Sequence, residues 1–539
     1  MDIVESLKLK IQEALSKLGK EASLNDIIIE KSKDTAHGDY ASNAAMKFCK
    51  LFGKAPRDVA ALIIENIDKD GIDKIEIAGP GFINFFMKND SLQVFVKKII
   101  SEGDNYGRLP RKNSKVNVEF VSANPTGLLH VGTARGAAIG DSICRILDFA
   151  GYDVTREYYI NDAGSQITNL GLSLEARYKE LFGIEASIPE DGYAGYDIVE
   201  IAKELKEEIG DKALHMENAL DFYKERAMSV ELNRIVKALD LFRVHFDVFS
   251  SEKVIRSNNA IEKELDYLKE YVYEAEGALY LKTTAFVDDK DRVIRKSNGD
   301  YTYFMPDICY HVNKMSRDYD FIIDVLGADH HGYINRMKSA LMMHGYSEDA
   351  LHVELIQMVR FLKDGQEYKA SKRRGDAITL RDVCEEVGVD AMRYFFAMRA
   401  ASGHLDFDMD LAKEQSANNP VYYAQYAHAR LCSILEQCKD IAIDESGKNL
   451  SQPSEMALLK HLADFPNVIN NAAKEKAPYQ ITNYIHALAE FVHAFYNECR
   501  VNDRTNIDVS ASRLALVKAS QIVIKNALNL IGVSAPMHM

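Results

Sequence analysis

The sequence predicts an α/β protein in three parts: a central, doubly wound parallel sheet, a small mixed α/β unit before it and an all-α bundle after it. Three observations carry that prediction. VNVEFVS at 116–122 is a short β-branched and aromatic strand that opens into a Pro-Gly loop and then a helical run from about Thr133 to Ala150. A second strand-like run, DFIIDVLGADHHG at 320–332, also ends in a glycine-bearing loop, and strand, loop and helix in that order build a parallel sheet. From about residue 410 onward, alanine, leucine and tyrosine recur at spacings of three and four with only short polar breaks, the pattern of helices packed on one another.

Taken in chain order, residues 2–20 alternate charge with apolar residues at helical spacing. The chain therefore opens on an amphipathic helix and lacks the uninterrupted apolar stretch of a signal peptide or membrane span. IIIEKSKDTAHGDYASNAAMKF and IEIAGPGFINFFM alternate strand-like runs with Gly and Pro breakers, which makes a small α/β unit of residues 1–110. SEGDNYGRLPRKNSK at 101–115, rich in Gly, Asn and charge, reads as a linker. The central unit then occupies 111–410, with an insertion at roughly 165–290 and a lysine-rich loop at 369–375, and the helical unit occupies 411–539. No internal repeat or low-complexity tract interrupts this order.

A chain of 539 residues, 47% of them hydrophobic, can bury more than one core, in keeping with three units. Its seven cysteines are scattered, with no C-x-x-C pair, so no structural zinc is expected and a reduced, cytoplasmic compartment fits. The net charge of -15 argues at first against a nucleic-acid partner. The distribution removes that objection. Residues 1–110 hold 16 basic and 17 acidic side chains and residues 420–539 hold 11 of each, so the middle carries nearly all of the excess. Neutral ends can present basic faces and an acidic centre suits a cationic substrate, although solubility alone accounts for the balance equally well.

The loop SANPTGLLHVGTARG at 122–136 stands where a helix start would aim N–H groups and a positive dipole at a phosphate. Gly127 and Gly132 leave room there, His130 can donate to a phosphate oxygen, and Gly132 has no side chain to block a purine. By itself H-x-G is common by chance and usually structural. Downstream, YKASKRRGD at 368–376 gathers Lys369, Lys372, Arg373 and Arg374 in a loop suited to neutralising a triphosphate, though most cationic loops are solvated surface. Order raises the weight of both: strand, H-x-G loop, long insertion, G-A-D-H, then K-x-S-K.

With these residues in that order the chain resembles the class I aminoacyl-tRNA synthetases, whose HIGH and KMSKS signatures correspond to His130-Val131-Gly132-Thr133 and Lys369-Ala370-Ser371-Lys372-Arg373. Thr133 replaces the second histidine and Ala370 the methionine; Lys372 is retained. Within that class the resemblance is to the arginine branch. It runs through HGDYASNAA, GPGFINF, VEFVSANPTG, REYYINDAG, FDVFSSE, YTYFMPDICYH, LGADHHGY, NPVYYAQYAHAR and the terminal LIGVSAPMHM.

The resemblance implies a Rossmann-like catalytic domain with a HUP-type parallel sheet, an N-terminal domain that meets the tRNA elbow and a C-terminal anticodon-binding domain. It implies ATP with Mg²⁺, held by His130, Gly132, Thr133, Gly327, His330, Lys369, Ser371 and Lys372, with His130, Lys369 and Lys372 catalytic. A guanidinium asks for carboxylates in fork geometry. By motif matching Glu252 and Asp307, with Tyr303 one helical turn away, resemble the guanidinium partners, and Ser122, Asn124 and Asp329 the ligands of the α-amino group. Taken singly, Asp307 reads equally as a helix cap and Tyr303 as a core aromatic. Phe82, Asn84, Tyr422, Gln425, Tyr426 and Arg430 resemble tRNA contacts, aromatics being able to stack on unpaired bases. The implied partners are L-arginine and tRNA(Arg), with neither DNA nor membrane, and the implied state is a monomer. A nucleotidyltransferase of the same superfamily is disfavoured by the chain's length and third unit, and a non-catalytic tRNA-binding paralogue by the retention of Lys372 and the acids.

Overall fold

The computed structural model describes residues 3–32, 37–257, 259–368 and 378–539, apart from the side chain of Asn89. Lys369, Ser371 and Lys372 thus lie outside the described residues. Helix α1 (Ile3–Lys17) buries Ile3, Leu7, Ile11, Ala14 and Leu15, one apolar stripe at helical spacing. Strands β1 (Ile29–Lys31) and β2 (Tyr40–Ser42), helices α2 (Ala44–Phe52) and α3 (Pro56–Asn66), and the hairpin of β3 (Ile72–Ala78) and β4 (Phe82–Met87) follow. The four strands form an antiparallel sheet in the order β1-β2-β4-β3. Helix α4 (Asn89–Glu102) leads out of this unit. The segment predicted as a linker is instead anchored: Tyr106 is fully buried, stacks on Phe465 with ring centroids 6.3 Å apart and donates to the Leu462 carbonyl at 3.0 Å. Its polar composition concealed one aromatic anchor.

The central unit begins with β5 (Lys115–Glu119), α5 (Ala134–Phe149) and β6 (Asp153–Ile160), a strand–helix–strand unit whose two strands pair in parallel. Insertion helices α6 (Ser165–Glu180), α7 (Tyr196–Ile209) and α8 (Ala219–Leu241) precede β7 (Val248–Ser251) and the short helices α9 (Glu252–Ile255) and α10 (Ala260–Tyr267). An antiparallel meander, β8 (Val272–Ala275), β9 (Ala278–Leu281) and β10 (Arg292–Arg295), leads to α11 (Phe304–Met315), β11 (Phe321–Gly327), α12 (Ile334–Met343) and β12 (Leu351–Ile356). The main sheet has the order β12-β11-β5-β6-β7, parallel throughout. From β5 the chain runs outward through β6 to β7, and from β11 the other way to β12. The order therefore reverses between β5 and β11, and the carboxyl ends of those two strands open a crevice, the usual ligand position in such sheets.

The strand predicted over 116–122 ends at Glu119. Val121 and Ser122 have φ of 68° and 38°, and the Ser122 N–H closes a tight turn on the Phe120 carbonyl at 2.9 Å. A β-branched residue in that region carries strain of order 1–3 kcal/mol, as is common beside binding sites. On α5, a Cβ at Gly140 would meet the Phe120 ring at 2.4 Å, so only glycine lets the helix lie against the end of β5.

Strands β13 (Val359–Lys363), β14 (Gln366–Glu367) and, after helices α13 (Leu380–Val387) and α14 (Val389–Ala397), β15 (Leu405–Asp408) make a small sheet in the order β14-β13-β15. Short α15 (Met409–Lys413) leads to the helical unit of α16 (Pro420–Gln437), α17 (Pro453–Ala463), α18 (Phe465–Glu475), α19 (Tyr479–Glu498) and α20 (Ile507–Leu530). No helix among the described residues is long and apolar enough to cross a membrane.

A buried ion cluster joins these units. Asp141 of α5 accepts from Arg145 at 2.6 Å and from the fully buried Arg393 of α14 at 2.5 Å, with Arg156 at 3.6 Å. Against the effect of burial, these three guanidiniums hold its carboxyl below the usual range. Arg393 also donates to the carbonyls of Phe242 and Ile531, both at 2.9 Å, so the last turns of the chain are fastened to the central unit. Arg393→Ala should lower stability by roughly 3 kcal/mol or more, because it leaves buried polar groups uncompensated. The test is the urea unfolding midpoint, and an unmoved midpoint would mean that Arg145 and Arg156 suffice.

Candidate active site

A cavity of about 360 Å³ opens at the reversal point of the sheet. Helix α11 and its N-cap Tyr303 supply Tyr303, Phe304, Asp307, Tyr310 and His311 to its wall, β5 and β6 supply Glu119 and Tyr159, and β11, α12 and the turn between them supply Asp324, Leu326, His330, Tyr333 and Arg336. Two of its acids are internally compensated. Glu119 and Asp324 lie opposite each other on paired strands, and the fully buried Lys314 donates to both, reaching Asp324 at 2.8 Å. Although burial works against it, the charges of Asp324, Glu119 and Glu157 keep Lys314 protonated, and Lys314 and His311 hold Asp324 far below the usual carboxylate range. His311 contacts Asp324 at 2.7 Å through Nε2 and the Asp307 carbonyl at 2.7 Å through Nδ1.

Asp307 is different. No described side chain hydrogen-bonds or ion-pairs with its carboxylate. Burial, joined by the charges of Glu119, Glu252 and Asp324 and opposed by His311, pushes it up to about 7. Chemically, this is an acid whose counter-charge is missing. Glu252, the first residue of α9, is buried, pairs with Arg256 and accepts from the Asn161 amide at 2.9 Å. It is not on the cavity wall, but it shares a neighbour with Asp307: burial raises the Tyr159 hydroxyl, and the charges of Glu252 and Asp307 raise it further. Tyr303, 85% exposed, stands at the mouth one turn before Asp307. Ser122 donates to Glu119 at 2.9 Å and accepts from the Tyr159 N–H at 3.0 Å, tying the loop after β5 to the wall. Asn124 donates to Gln166 at 2.7 Å, and Asp329 is exposed beside His330 at 3.7 Å, next to Gly327 at the end of β11.

The H-x-G turn differs from its expected role as an open cradle. The Val131 N–H donates to the Ile378 carbonyl at 3.0 Å, Gly132 N–H to His130 Nδ1 at 2.9 Å, Thr133 N–H to the His130 carbonyl at 3.1 Å, and Ala134 N–H to the Val131 carbonyl. These donors are consumed within the protein, so a phosphate at this turn is met by side chains and by the helix field. Nδ1 of His130 accepts, which leaves Nε2 as the N–H donor, and burial lowers its pKa toward the neutral ring. A Cβ at Gly132 would meet Nδ1 at 2.8 Å, so the glycine is needed for this cap. The Thr133 hydroxyl closes on the His130 carbonyl at 2.7 Å. With Leu380 N–H to Leu129 O at 2.9 Å, the bridge brings the downstream end of the lysine-loop region against the turn.

Among the expected nucleic-acid contacts, Phe82 is exposed, whereas Asn84 is buried at the centre of its sheet, between Ala41 and Glu76. Tyr422 and Tyr426 stack at 6.0 Å on α16, and Arg430 lies 5.9 Å from the Tyr426 ring and 3.7 Å from that of Tyr496. Gln425 is turned inward, donating to Asp390 at 2.9 Å and the Ser534 carbonyl at 3.0 Å, so it serves packing rather than the exposed face. The sequence reading missed Glu119, Tyr159, His311, Asp324 and Tyr333. An acid inside each apolar strand, Glu119 in VNVEFVS and Asp324 in DFIIDVLG, was the available signal.

Three family models together match most of the chain: an arginyl tRNA synthetase N terminal domain over 5–87, a tRNA synthetases class I (R) catalytic domain over 95–421 and a DALR anticodon binding domain over 424–539. The arginine–tRNA ligase of Bacillus subtilis is 50% identical over 99% of this chain and 98% of its own length, and that of Anoxybacillus flavithermus 50% identical over the whole of both. The Thermus thermophilus arginyl-tRNA synthetase structure superposes over all of both chains with a TM-score of 0.79 at 22% identity, a likeness of fold.

The raised Asp307 carboxyl has a measurable consequence. Between its ordinary value of 3.8 and about 7 the folded protein holds a proton that the unfolded chain releases, so stability is present below pH 4 and is lost as the pH rises through 7. Asp307→Asn has no such proton. It should melt higher than the wild type at pH 8, with the gap closing below pH 4; equal melting temperatures at pH 8 would show that the carboxylate is not strained.

Proposed function

The chain belongs to the arginyl-tRNA synthetase family, and on that premise we propose that it joins L-arginine to tRNA(Arg) through an arginyl-adenylate, drawing on ATP, in translation. The observation that carries the reading is the uncompensated Asp307 carboxylate in a cavity at the reversal point of a parallel sheet, beside the H-x-G turn's side of that sheet. A guanidinium in that cavity supplies the missing positive charge and draws the carboxyl back to its ionised form, so arginine binding releases a proton near neutral pH. Glu252, acting through or beside Tyr159, and Tyr303 at the mouth complete the guanidinium side. Ser122, Asn124 and Asp329 take the α-amino group, which leaves the arginine carboxylate free to attack.

That carboxylate attacks the α-phosphorus of ATP, the bond to the bridging oxygen breaks and pyrophosphate leaves. A terminal ribose hydroxyl of the tRNA then takes the acyl group, releasing AMP. No protein nucleophile is required, so catalysis is positioning and charge neutralisation. His130 offers Nε2–H to a phosphate oxygen. Lys369 and Lys372, with Ser371, would neutralise the phosphates, and Gly132, Thr133, Gly327 and His330 would border the nucleotide. Mg²⁺ supplies further neutralisation when it arrives with ATP. Among the described residues no group of three or more His, Cys, Asp or Glu is arranged to hold a metal, and the ion would enter with the nucleotide's phosphates. On the tRNA side, Phe82 and the Tyr422–Tyr426–Arg430 face stack on unpaired bases. A monomer in a reducing cytoplasm, without DNA or membrane partners, belongs to the same proposal, supported by free and largely buried cysteines.

Incubation with ATP, labelled arginine and total tRNA should give acid-precipitable arginyl-tRNA, and labelled lysine should not; absence of product overturns the proposal. Asp307→Asn should raise the arginine KM about 100-fold, the order expected when one partner of a desolvated charge pair is removed, and leave the ATP KM nearly unchanged. Lys372→Ala should depress arginine-dependent ATP–pyrophosphate exchange, and unchanged turnover would remove that lysine from the mechanism.

A further inference from the structure

Arg135 stands in the first turn of α5, two residues after Thr133, with none of its surface exposed. Its guanidinium donates through Nη1 to the carbonyls of Gln357 at 3.0 Å and Gly403 at 2.7 Å and through Nη2 to that of Ala400 at 2.8 Å, while Nε has no partner. Among the described residues, no carboxylate pairs with it. The equally buried Arg393 makes the contrast, because its charge is met by Asp141 six residues further along the same helix α5. Desolvation lowers Arg135 to about 10, which leaves it protonated at neutral pH. A positive charge with no carboxylate partner among the described residues is thus stored in the first turn of α5, next to the H-x-G turn.

Both its position and its cost need a reason. The N–H groups of residues 131–134 are engaged inside the protein, so the turn offers an anion few free backbone donors. A neutral side chain could bind main-chain carbonyls without the penalty of burying an unpaired ion. What only a cation adds is a field at the helix start, in the same sense as the helix dipole and in surroundings that screen it poorly. The carbonyls it grips are also well placed. Gln357 follows the last residue of β12, and Ala400 and Gly403 precede β15, so the side chain fastens the start of α5 to the edge of the main sheet and to the root of the small one.

We propose that Arg135 is a positioning residue for the activation step, one that clamps the H-x-G turn in register and lends an unneutralised charge to the binding of the nucleotide's anionic phosphates. The inference rests on the nucleotide reading of that turn. It is tested in the full-length chain with Arg135→Met, apolar and unbranched, and Arg135→Lys, which keeps the charge and loses the fork. In ATP titrations of arginyl-tRNA formation, kcat/KM for ATP should fall about 100-fold in the Met variant, with the arginine KM within about threefold of wild type, and Lys should recover most of the loss. ATP should raise the melting temperature of the wild type and of the Lys variant, and fail to do so for Met. A Met variant with wild-type kcat/KM for ATP would falsify the proposal, and so would equal losses in both variants with the arginine KM rising in step, the mark of a purely structural tie. Should the Met variant not fold, Arg135→Gln, neutral but able to donate, is compared with Lys by the same measurements. A wild type that forms no arginyl-tRNA but is still stabilised by ATP would sink the assigned function and leave the melting comparison to decide the role of Arg135.

Discussion

The Lys314 ammonium between Glu119 and Asp324 is the interaction on which the rest of the site depends. Those two carboxylates face each other on neighbouring parallel strands, at the one place in the sheet where the strand order reverses. Left alone they would repel in a poorly screened interior. With the ammonium donating to both, the strands keep their register, and α11, which carries Lys314, is drawn onto the sheet. The same helix then presents Asp307 one and a half to two turns earlier. Lys314 is used behind Asp307, and the Arg336 side chain on the same wall is turned to the Gly332 carbonyl and the Phe304 and Tyr333 rings, so among the described residues neither cation pairs with Asp307.

The charges of the two halves of the site are complementary deficits. Among the described residues, the acid Asp307 on the cavity side has no cation paired with it, and Arg135 beside the H-x-G turn has no anion. Each half is less favourable empty than filled, so the binding of a cationic amino acid and of an anionic nucleotide each relieves a desolvation cost already present in the folded chain. The strained backbone at Val121 and Ser122 lies on the loop between those halves and is held by Ser122 bridging Glu119 and the β6 backbone. Stability is given up at these three places, all close to the carboxyl ends of β5 and β11.

Legibility in the sequence followed local pattern. The amphipathic stripe of α1, the strand–loop–helix opening and the continuous helical repeat after residue 410 report their own environments, and the three-part fold could be read from them. Residues defined by a distant partner could not. Tyr106 hid in a polar stretch because its partners, Phe465 and Leu462, lie more than 350 positions away. Tyr159 and Glu252 meet only after the β6–β7 pairing brings their strand ends together. Asn84 and Gln425 looked like surface polar groups, yet both are turned inward, and only strand register and helix phase decide that. The loop at 122–136 was recognisable as a helix start, but composition could not say that its N–H groups would be spent on Ile378 and on the His130 ring.

The helical unit and the H-x-G turn are joined by two short polar steps through α14. On α16 the outward face is Tyr422, Tyr426 and Arg430, and the inward Gln425 between them donates to Asp390 at the start of α14, which also accepts from Ser534 and Arg243. One helical turn further along α14, Arg393 grips Asp141 on α5, and α5 begins at the turn itself. Gln425, Arg393 and Asp141 are buried and the charges are paired along the series, so it has a single satisfied arrangement rather than two alternatives of similar energy. A connection of that kind fixes distance and angle. It sets the aromatic face of α16 at a constant offset from the H-x-G turn at the start of α5.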